Sequence, residues 1–219
     1  MTAAESRAEP QARAGLGIFE VLITLLLVLG AVAASWSSYQ ATRWNGEQAK
    51  GAGRTSAIRI SAARAASLAS AYTEVDVATF IAWTDAHGGG NAELQTFYVQ
   101  RFRPEFKTAF DAWLATGPFV DSSAPPTPFA MQEYRVAAGE EAARLDEEAE
   151  ASAATVARDI QRSSNYVLSV VLYTIVLLFA GMAGKMSSRR LRIGVVVAAY
   201  VVLIAALAWV ATFPVSVDV

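Results

Sequence analysis

Between two long apolar runs lies the stretch Lys185-Met186-Ser187-Ser188-Arg189-Arg190-Leu191-Arg192. It carries four positive charges and no negative one, namely Lys185, Arg189, Arg190 and Arg192. Short loops that are rich in lysine and arginine stay on the cytoplasmic side of a membrane. The stretch therefore predicts that the run before it enters the cytoplasm and that the run after it leaves.

The composition indicates an integral membrane protein. The 219 residues are 54% hydrophobic and 17% charged, and the mean hydropathy is +0.32, a combination that is rare in soluble domains. The chain has no cysteine, which excludes disulfides, a thiolate nucleophile and a zinc–thiolate site. The net charge of −2 argues against a nucleic-acid partner. Heavy use of alanine and arginine favours a bacterium with a GC-rich genome.

Three apolar stretches are close to the roughly 20 residues that a helix needs to cross a bilayer. We expect a multi-pass protein of the bacterial inner membrane, with a cytoplasmic N-terminus and one large extracytoplasmic loop. The predicted segments are the cytoplasmic 1–14, span one 15–36, the extracytoplasmic 37–165, span two 166–184, the cytoplasmic basic loop 185–192, span three 193–213 and the extracytoplasmic tail 214–219.

Span one has a second interpretation, as a cleaved signal peptide. Ala31-Val32-Ala33 fits the small-x-small pattern of a cleavage site. The leading segment is not clearly positive, however, and the apolar run continues directly into a helical pattern, which favours an uncleaved anchor. The large loop is extracytoplasmic in either case.

The large loop is predicted to be helical. Residues 36–86 contain no proline and many alanines, so span one should continue as a helix beyond the membrane. Gly88-Gly89-Gly90 should end it, and Asn91 is a suitable cap for the next helix. We expect one helix or a pair over 92–116, broken or kinked at Pro104.

The chain should return to the membrane as a helix that begins near Phe129 and continues into span two. The predicted fold is therefore an all-α integral membrane protein with three transmembrane helices and an extracytoplasmic antiparallel helical hairpin, of coiled-coil type, whose long helices extend spans one and two. Basic residues over 50–64 and acidic residues over 140–150 favour pairing of the long helices, with residue i beside about 201 minus i. Arg54 would then face Glu147. The same charges could instead pair between subunits, and the alanine-rich seam buries little apolar area, so we expect the helices to oligomerise or to pack on a partner.

A dense polar layer is predicted at the outer membrane face. It comprises Tyr39, Gln40, Arg43, Trp44, Asn45, Glu47, Asp159 and Arg162. One interpretation is a recognition or gating layer, in which Arg43 pairs with Asp159. The other is an ordinary interfacial belt that contacts lipid headgroups.

Two further groups are candidates for function. Glu20 is an acid inside span one, where a carboxylate indicates a functional site, although it could also snorkel or pair with an arginine of the basic loop. Aromatic residues recur at helical spacing near the hairpin tip, either as a partner contact or as a packed cap. These tip residues are Phe97, Phe102, Phe106, Phe110 and Trp113.

The sequence contains no catalytic triad, phosphate loop or metal-binding helix motif, and His87 is its single histidine. We therefore expect a non-enzymatic protein without cofactor or metal, which acts as an extracytoplasmic helical scaffold or sensor and binds a partner protein or itself. The expected partners are the lipid bilayer and either further copies of the chain or another membrane or extracytoplasmic protein, with no nucleic acid. The alternative is a subunit of an oligomeric ion channel or transporter.

Overall fold

The protein is helical throughout the part that the structure describes. The computed structural model describes the backbone of residues 5–216 and the side chains of residues 17–216, and that range contains helices and no strand. The elements are α1 (Glu5–Gly88), α2 (Ala92–Val99), α3 (Pro104–Ala115), a 3₁₀ turn (Pro128–Ala130), α4 (Ala137–Lys185) and α5 (Arg189–Val210). The predicted all-α class is confirmed. The last three residues of the predicted tail lie outside the described range.

Three of these helices, α1, α4 and α5, each contain a stretch long and apolar enough to cross a membrane. The prediction of three apolar helices is confirmed. Helix α5 ends at Val210, three residues before the predicted end of span three. Lys185 closes α4 and Arg189 opens α5, so the connection between them is three residues long.

The chain forms two compact units. The first unit comprises Met1–Ala52 and Ala154–Val219, and the second comprises Gly53–Ala153. In the first unit, α1, α4 and α5 share a core that includes Leu26, Val176 and Leu203.

Two close contacts hold the helices of the first unit together. A Cβ placed on Gly30 would lie 3.0 Å from Leu177, so a glycine at this position allows α1 and α4 to approach closely. The Tyr200 hydroxyl of α5 donates a hydrogen bond to the Leu22 carbonyl of α1 at 2.9 Å.

In the second unit, α1 buries residues along a seven-residue repeat that begins at Thr55. Thr55, Ala62, Asp76 and Trp83 are buried and lie on this repeat. A seven-residue repeat is the spacing that keeps one seam of a helix against a partner helix. The side chains on most of this seam are small, which permits close approach and buries little apolar area.

The partner along this seam is α4. Thr55 Oγ1 lies 2.7 Å from Ser152 Oγ, and a Cβ on Gly139 would lie 3.7 Å from Ala69. The predicted register placed Thr55 beside residue 146, so the observed partner is displaced by six residues, or about 9 Å along the axis. The displacement arises because the prediction assumed that two chosen residues at the membrane face lie at equal height.

The connections agree with the predicted breaks at one end and differ at the other. Gly90 has a φ of +69°, and the Asn91 side chain accepts a hydrogen bond from the Leu94 N–H at 3.0 Å. Pro104 is the first residue of α3. The return helix, however, begins at Ala137 rather than near residue 129. The chain before it packs Phe129, Met131 and Tyr134 against an aromatic core, which prevents an earlier helix start.

Candidate functional site

Gln40 lies at the centre of the predicted polar layer, in the first unit, and is fully buried. Its side-chain oxygen accepts a hydrogen bond from the Ser216 N–H at 3.0 Å. Its side-chain nitrogen donates to the Ser216 carbonyl at 3.4 Å. One amide therefore satisfies both backbone groups of a residue that follows α5.

A second pair of contacts fixes the segment after α5. The Tyr166 hydroxyl donates to the Pro214 carbonyl at 3.1 Å, and its ring meets Phe213 edge to face with centroids 5.3 Å apart. The side chains of α1 and α4 in this layer thus bind the main chain beyond α5. These contacts hold the segment after α5 in place, and together they are called the brace.

Helices α1 and α4 are also joined directly in this layer. Ser163 Oγ lies 3.1 Å from the Ala41 carbonyl and 2.9 Å from Asn45 Oδ1. Both neighbours are acceptors, so the single hydroxyl proton is shared between them. The contact places one predicted layer residue, Asn45, where α1 and α4 meet.

The charged residues of the layer pair along one helix. Arg162 donates to Asp159 at 3.0 Å, and its guanidinium lies 4.5 Å from the centroid of Trp44. Asp159 therefore pairs with a residue of its own helix. The sequence had suggested Arg43 as its partner instead. Among the described residues, Arg43 Nε and Trp44 Nε1 are buried without a hydrogen-bond partner.

Two predicted members lie away from this network. Tyr39 is 54% exposed and packs near Trp36 with centroids 6.0 Å apart. Glu47 accepts a hydrogen bond from Lys50 at 2.9 Å, and this bond lowers the pKa of Glu47 below its usual value. The other six residues lie in or beside the buried layer.

The tip aromatics divide into a core and one surface residue. Phe102, Phe106, Phe110 and Trp113 are buried around Trp83 of α1. These four are therefore core residues and not contact residues, because α3 folds its apolar face onto α1. The Trp113 indole N–H donates to the Pro125 carbonyl at 2.8 Å, which holds the following loop against this core.

Phe97 is the tip residue that stays at the surface. It is 44% exposed, and the neighbouring Leu94 is 38% exposed. The guanidinium of Arg101 lies 3.5 Å from the centroid of the Phe97 ring. Together with Asn91 and Glu93, the two apolar residues line a shallow groove of about 220 Å³.

Sequence reasoning missed a buried ionic network in the second unit. Asp76 is 1% exposed and accepts two hydrogen bonds from Arg103, from Nε and from Nη2, each at 3.0 Å. Arg103 also donates to Glu105 and lies 4.3 Å from the centroid of Tyr72. The hydrogen bond to Asp76 raises the pKa of Arg103 above its usual value.

Tyr134 completes the network from the segment before α4. Its hydroxyl lies 3.2 Å from Asp76 Oδ2 and 3.4 Å from Thr73 Oγ1. Burial raises the pKa of Tyr134 above its usual value. A signal for the network was present in the sequence, because Asp76 is the single acid on the seven-residue repeat that begins at Thr55.

No known protein family, curated protein or solved structure matches this chain.

Glu20 lies on an exposed face of α1. A shallow groove on that face is lined by Gly17, Glu20, Val21, Thr24, Leu25 and Val28. Among the ion pairs of residues 17–216, none joins Glu20 to an arginine of the basic loop, and the Arg192 guanidinium lies 5.6 Å from the centroid of the Phe19 ring.

Two hydroxyl groups of α4 bond within their own helix. Ser169 donates to the Tyr166 carbonyl, and Thr174 donates to the Val170 carbonyl. His87 lies 3.1 Å from Gln95 Oε1. Within residues 17–216, no three His, Cys, Asp or Glu side chains cluster in a way that could hold a metal ion.

Proposed function

We propose that this chain is a non-enzymatic scaffold or sensor of the bacterial inner membrane, which presents its second unit to a partner protein outside the cytoplasm. The observation that carries this proposal is the surface at Phe97. The second unit buries its other tip aromatics in a complete core, yet it leaves this ring exposed beside Leu94 and Arg101.

The Phe97 surface has the composition of a binding hot spot. Aromatic and arginine side chains dominate the energetics of protein interfaces, and exposed apolar groups bordered by polar ones mark interaction sites. Phe119 and Val120, in the loop after α3, add further exposed apolar surface to the same unit, at 57% and 94% exposure. A partner that covers these side chains would bind more tightly, because their apolar surface would be removed from water.

For the topology, we infer an antiparallel hairpin of coiled-coil type. The contacts Thr55–Ser152 and Ala69–Gly139 occur in opposite order along α1 and α4, which supports this arrangement. The basic stretch 185–192 supports a cytoplasmic connection between α4 and α5. The second unit would then lie outside the cytoplasm, anchored by both of its long helices.

The polar layer supports a scaffold more than a site of chemistry. Three side chains of the layer form hydrogen bonds to the main chain or to a side chain of another helix, namely Gln40, Tyr166 and Ser163. Such bonds fix helices in place. A rigid membrane anchor suits a protein whose task is to hold a binding surface.

The alternative is an oligomeric channel or transporter, favoured by one observation. Glu20 is exposed on an apolar face of α1, where an isolated carboxylate is costly. In an oligomer this face could border a pore. Ion flux into liposomes that falls on Glu20→Gln would support the channel, and unchanged flux would remove Glu20 from it.

A binding experiment tests the proposal. The double variant Leu94→Ala/Phe97→Ala should lose the partner that co-purifies with the full chain in nanodiscs extracted from native membranes. Ile81→Ala removes a comparable exposed apolar side chain from α1, at 55% exposure, and should retain the partner. Equal recovery of the partner with both variants would refute the role of the Phe97 surface.

Topology has its own test, because the chain has no cysteine of its own. A single cysteine at Val120 should react with a membrane-impermeant maleimide in spheroplasts. A cysteine at Ser187 should react after permeabilisation and not before. The reverse pattern would invert the proposed orientation.

A further inference from the structure

Helix α1 carries a second stripe in the second unit, away from α4. Its members recur every three or four residues, as in a helix seam, and all are exposed: Ala57, Ser61, Arg64, Leu68, Ala71 and Val75. Leu68 is 46% exposed and Val75 is 51% exposed. The alanines, Leu68 and Val75 give this stripe apolar surface that a second helix would bury.

We propose that this stripe packs against α4 of a second copy of the chain, on the face that carries Asp146 and Glu150. The inference rests on the proposed membrane-anchored hairpin, and it names a further copy as the partner of the long helices. The contact is distinct from the Phe97 surface.

Charge left over after the pairing within one chain supports this occupant. Among the ion pairs formed by residues 17–216, Arg54 binds Glu148 at 4.0 Å, and Arg144 binds Glu141 and Glu148. The exposed Arg64 takes part in none of these pairs, and neither do the exposed Asp146 and Glu150. Unused basic charge thus remains on α1, and unused acidic charge remains on α4.

These charges cannot meet within one chain, because they lie on opposite sides of the helix pair. The Arg54–Glu148 contact marks one side. At about 100° per residue, Arg64 lies about 80° from Arg54 on α1, on that same side, whereas Asp146 and Glu150 each lie about 160° from Glu148 on α4. The two surfaces are complementary in charge and face away from each other.

Such an arrangement predicts a head-to-tail contact. When two different surfaces of one molecule are complementary, copies associate heterologously and can close into a ring. Because all copies are anchored in one bilayer, they also have the same orientation. A basic face of each copy then meets the acidic face of the next copy around the ring.

The register of the contact follows from equal depth in the membrane. Thr55 lies level with Ser152, and Ala69 lies level with Gly139. In a neighbouring copy at the same depth, Arg64 would therefore lie beside the turn that contains Ala143 and Asp146. Leu68, about one turn further along α1, would lie level with Gly139, whose small surface accepts it as a hole accepts a knob.

Cross-linking tests this contact directly. We would co-express a Leu68→Cys chain and a Gly139→Cys chain with different tags, and oxidise native membranes that contain both full-length proteins. The expected product is a disulfide-linked dimer that carries both tags. A Leu68→Cys chain expressed alone should not cross-link, because the proposed contact does not bring the two α1 helices together. Absence of the mixed dimer, or efficient linkage between two Leu68→Cys chains, would overturn the proposal.

Charge reversal supplies a second measurement. Arg64→Glu should reduce the oligomeric fraction in native nanodiscs about tenfold, as should Asp146→Arg, since close charge pairs contribute to association on this scale. The double variant should recover most of the oligomer. Glu147→Arg, the adjacent acid on another face of α4, is the matched control and should leave assembly unchanged. Failure of the double variant to recover would also overturn the pairing.

The two proposals can fail independently. Leu94→Ala/Phe97→Ala should abolish partner capture and leave the mixed-tag disulfide intact. Loss of the disulfide with partner capture retained would remove the ring and keep the scaffold. Inverted labelling at Val120 and Ser187 would remove the topology from which both proposals begin.

Discussion

The buried pair of Asp76 and Arg103 gives the sharpest prediction of stability. Asp76→Ala removes a carboxylate that is 1% exposed and leaves Arg103, whose side chain is 17% exposed, without its bidentate partner. Breaking a buried pair typically costs about 3–5 kcal/mol, because the remaining charge stays buried. Arg103 keeps its bond to Glu105 and some contact with water. We therefore expect the low end of that range, about 3 kcal/mol.

Thermal unfolding of the full chain in nanodiscs measures this loss. A change of 1 kcal/mol shifts the midpoint by roughly 4–8 °C in a domain of 60–100 residues, so the second unit should melt more than about 10 °C earlier. Near-ultraviolet circular dichroism reports the packing of Trp83 and Trp113 in that unit. Hydrogen exchange should show the same loss over 70–84 and 100–113.

Two comparison variants make the result interpretable. Asp111→Ala breaks an ion pair with Lys107 in which the aspartate is 54% exposed, and it should cost less than about 1 kcal/mol. Asp76→Leu/Arg103→Met replaces the pair with apolar groups and should recover much of the stability, because no charge remains buried. A loss below about 1 kcal/mol for Asp76→Ala would refute the reasoning that the pair is effectively buried.

Three further predictions concern single residues. Burial raises the pKa of Tyr134 above its ordinary 10.0, so the folded state holds the phenol proton more tightly than the unfolded state does. The resulting contribution to stability is complete below about pH 10 and is lost as the pH rises further. Tyr134→Phe should flatten that alkaline loss in denaturant titrations at pH 9 and pH 11. Gln40→Ala leaves both backbone groups of Ser216 unbonded, at about 1–3 kcal/mol, and should speed hydrogen exchange over 211–216; unchanged exchange there would contradict the brace. Gly90→Ala forces a side chain into a φ of +69° and should cost about 1–2 kcal/mol, whereas Gly89→Ala, at a residue without a positive φ, should cost less in the same melt.

Local features of the sequence predicted the helices and their first break. Three stretches of sufficient length and low charge indicated the apolar helices, and α1, α4 and α5 contain them. A glycine that can adopt a positive φ, followed by an asparagine cap, indicated the break at Gly90 and Asn91 that follows the end of α1 at Gly88. In each case the signal and the structure involve neighbouring residues.

Contacts between distant residues could not be predicted in the same way. Asp76 and Arg103 are 27 positions apart, and Gln40 and Ser216 are 176 apart. Their pairing depends on how α1 packs against other elements, which helical periodicity does not specify. The late start of α4 has the same origin, because Tyr134 is drawn to Asp76 before the helix can begin.

The small side chains of the seam in the second unit have a mechanical consequence. Alanine and serine form low ridges, so close contact opposes separation of α1 from α4 but gives little resistance to translation along the axis. Polar contacts between the two helices oppose that translation, among them the contact between Thr55 and Ser152 and the ion pair between Arg54 and Glu148. Loss of these contacts would let α1 and α4 slide along each other, and small side chains meet equivalent neighbours again after about one helical turn, or 5.4 Å.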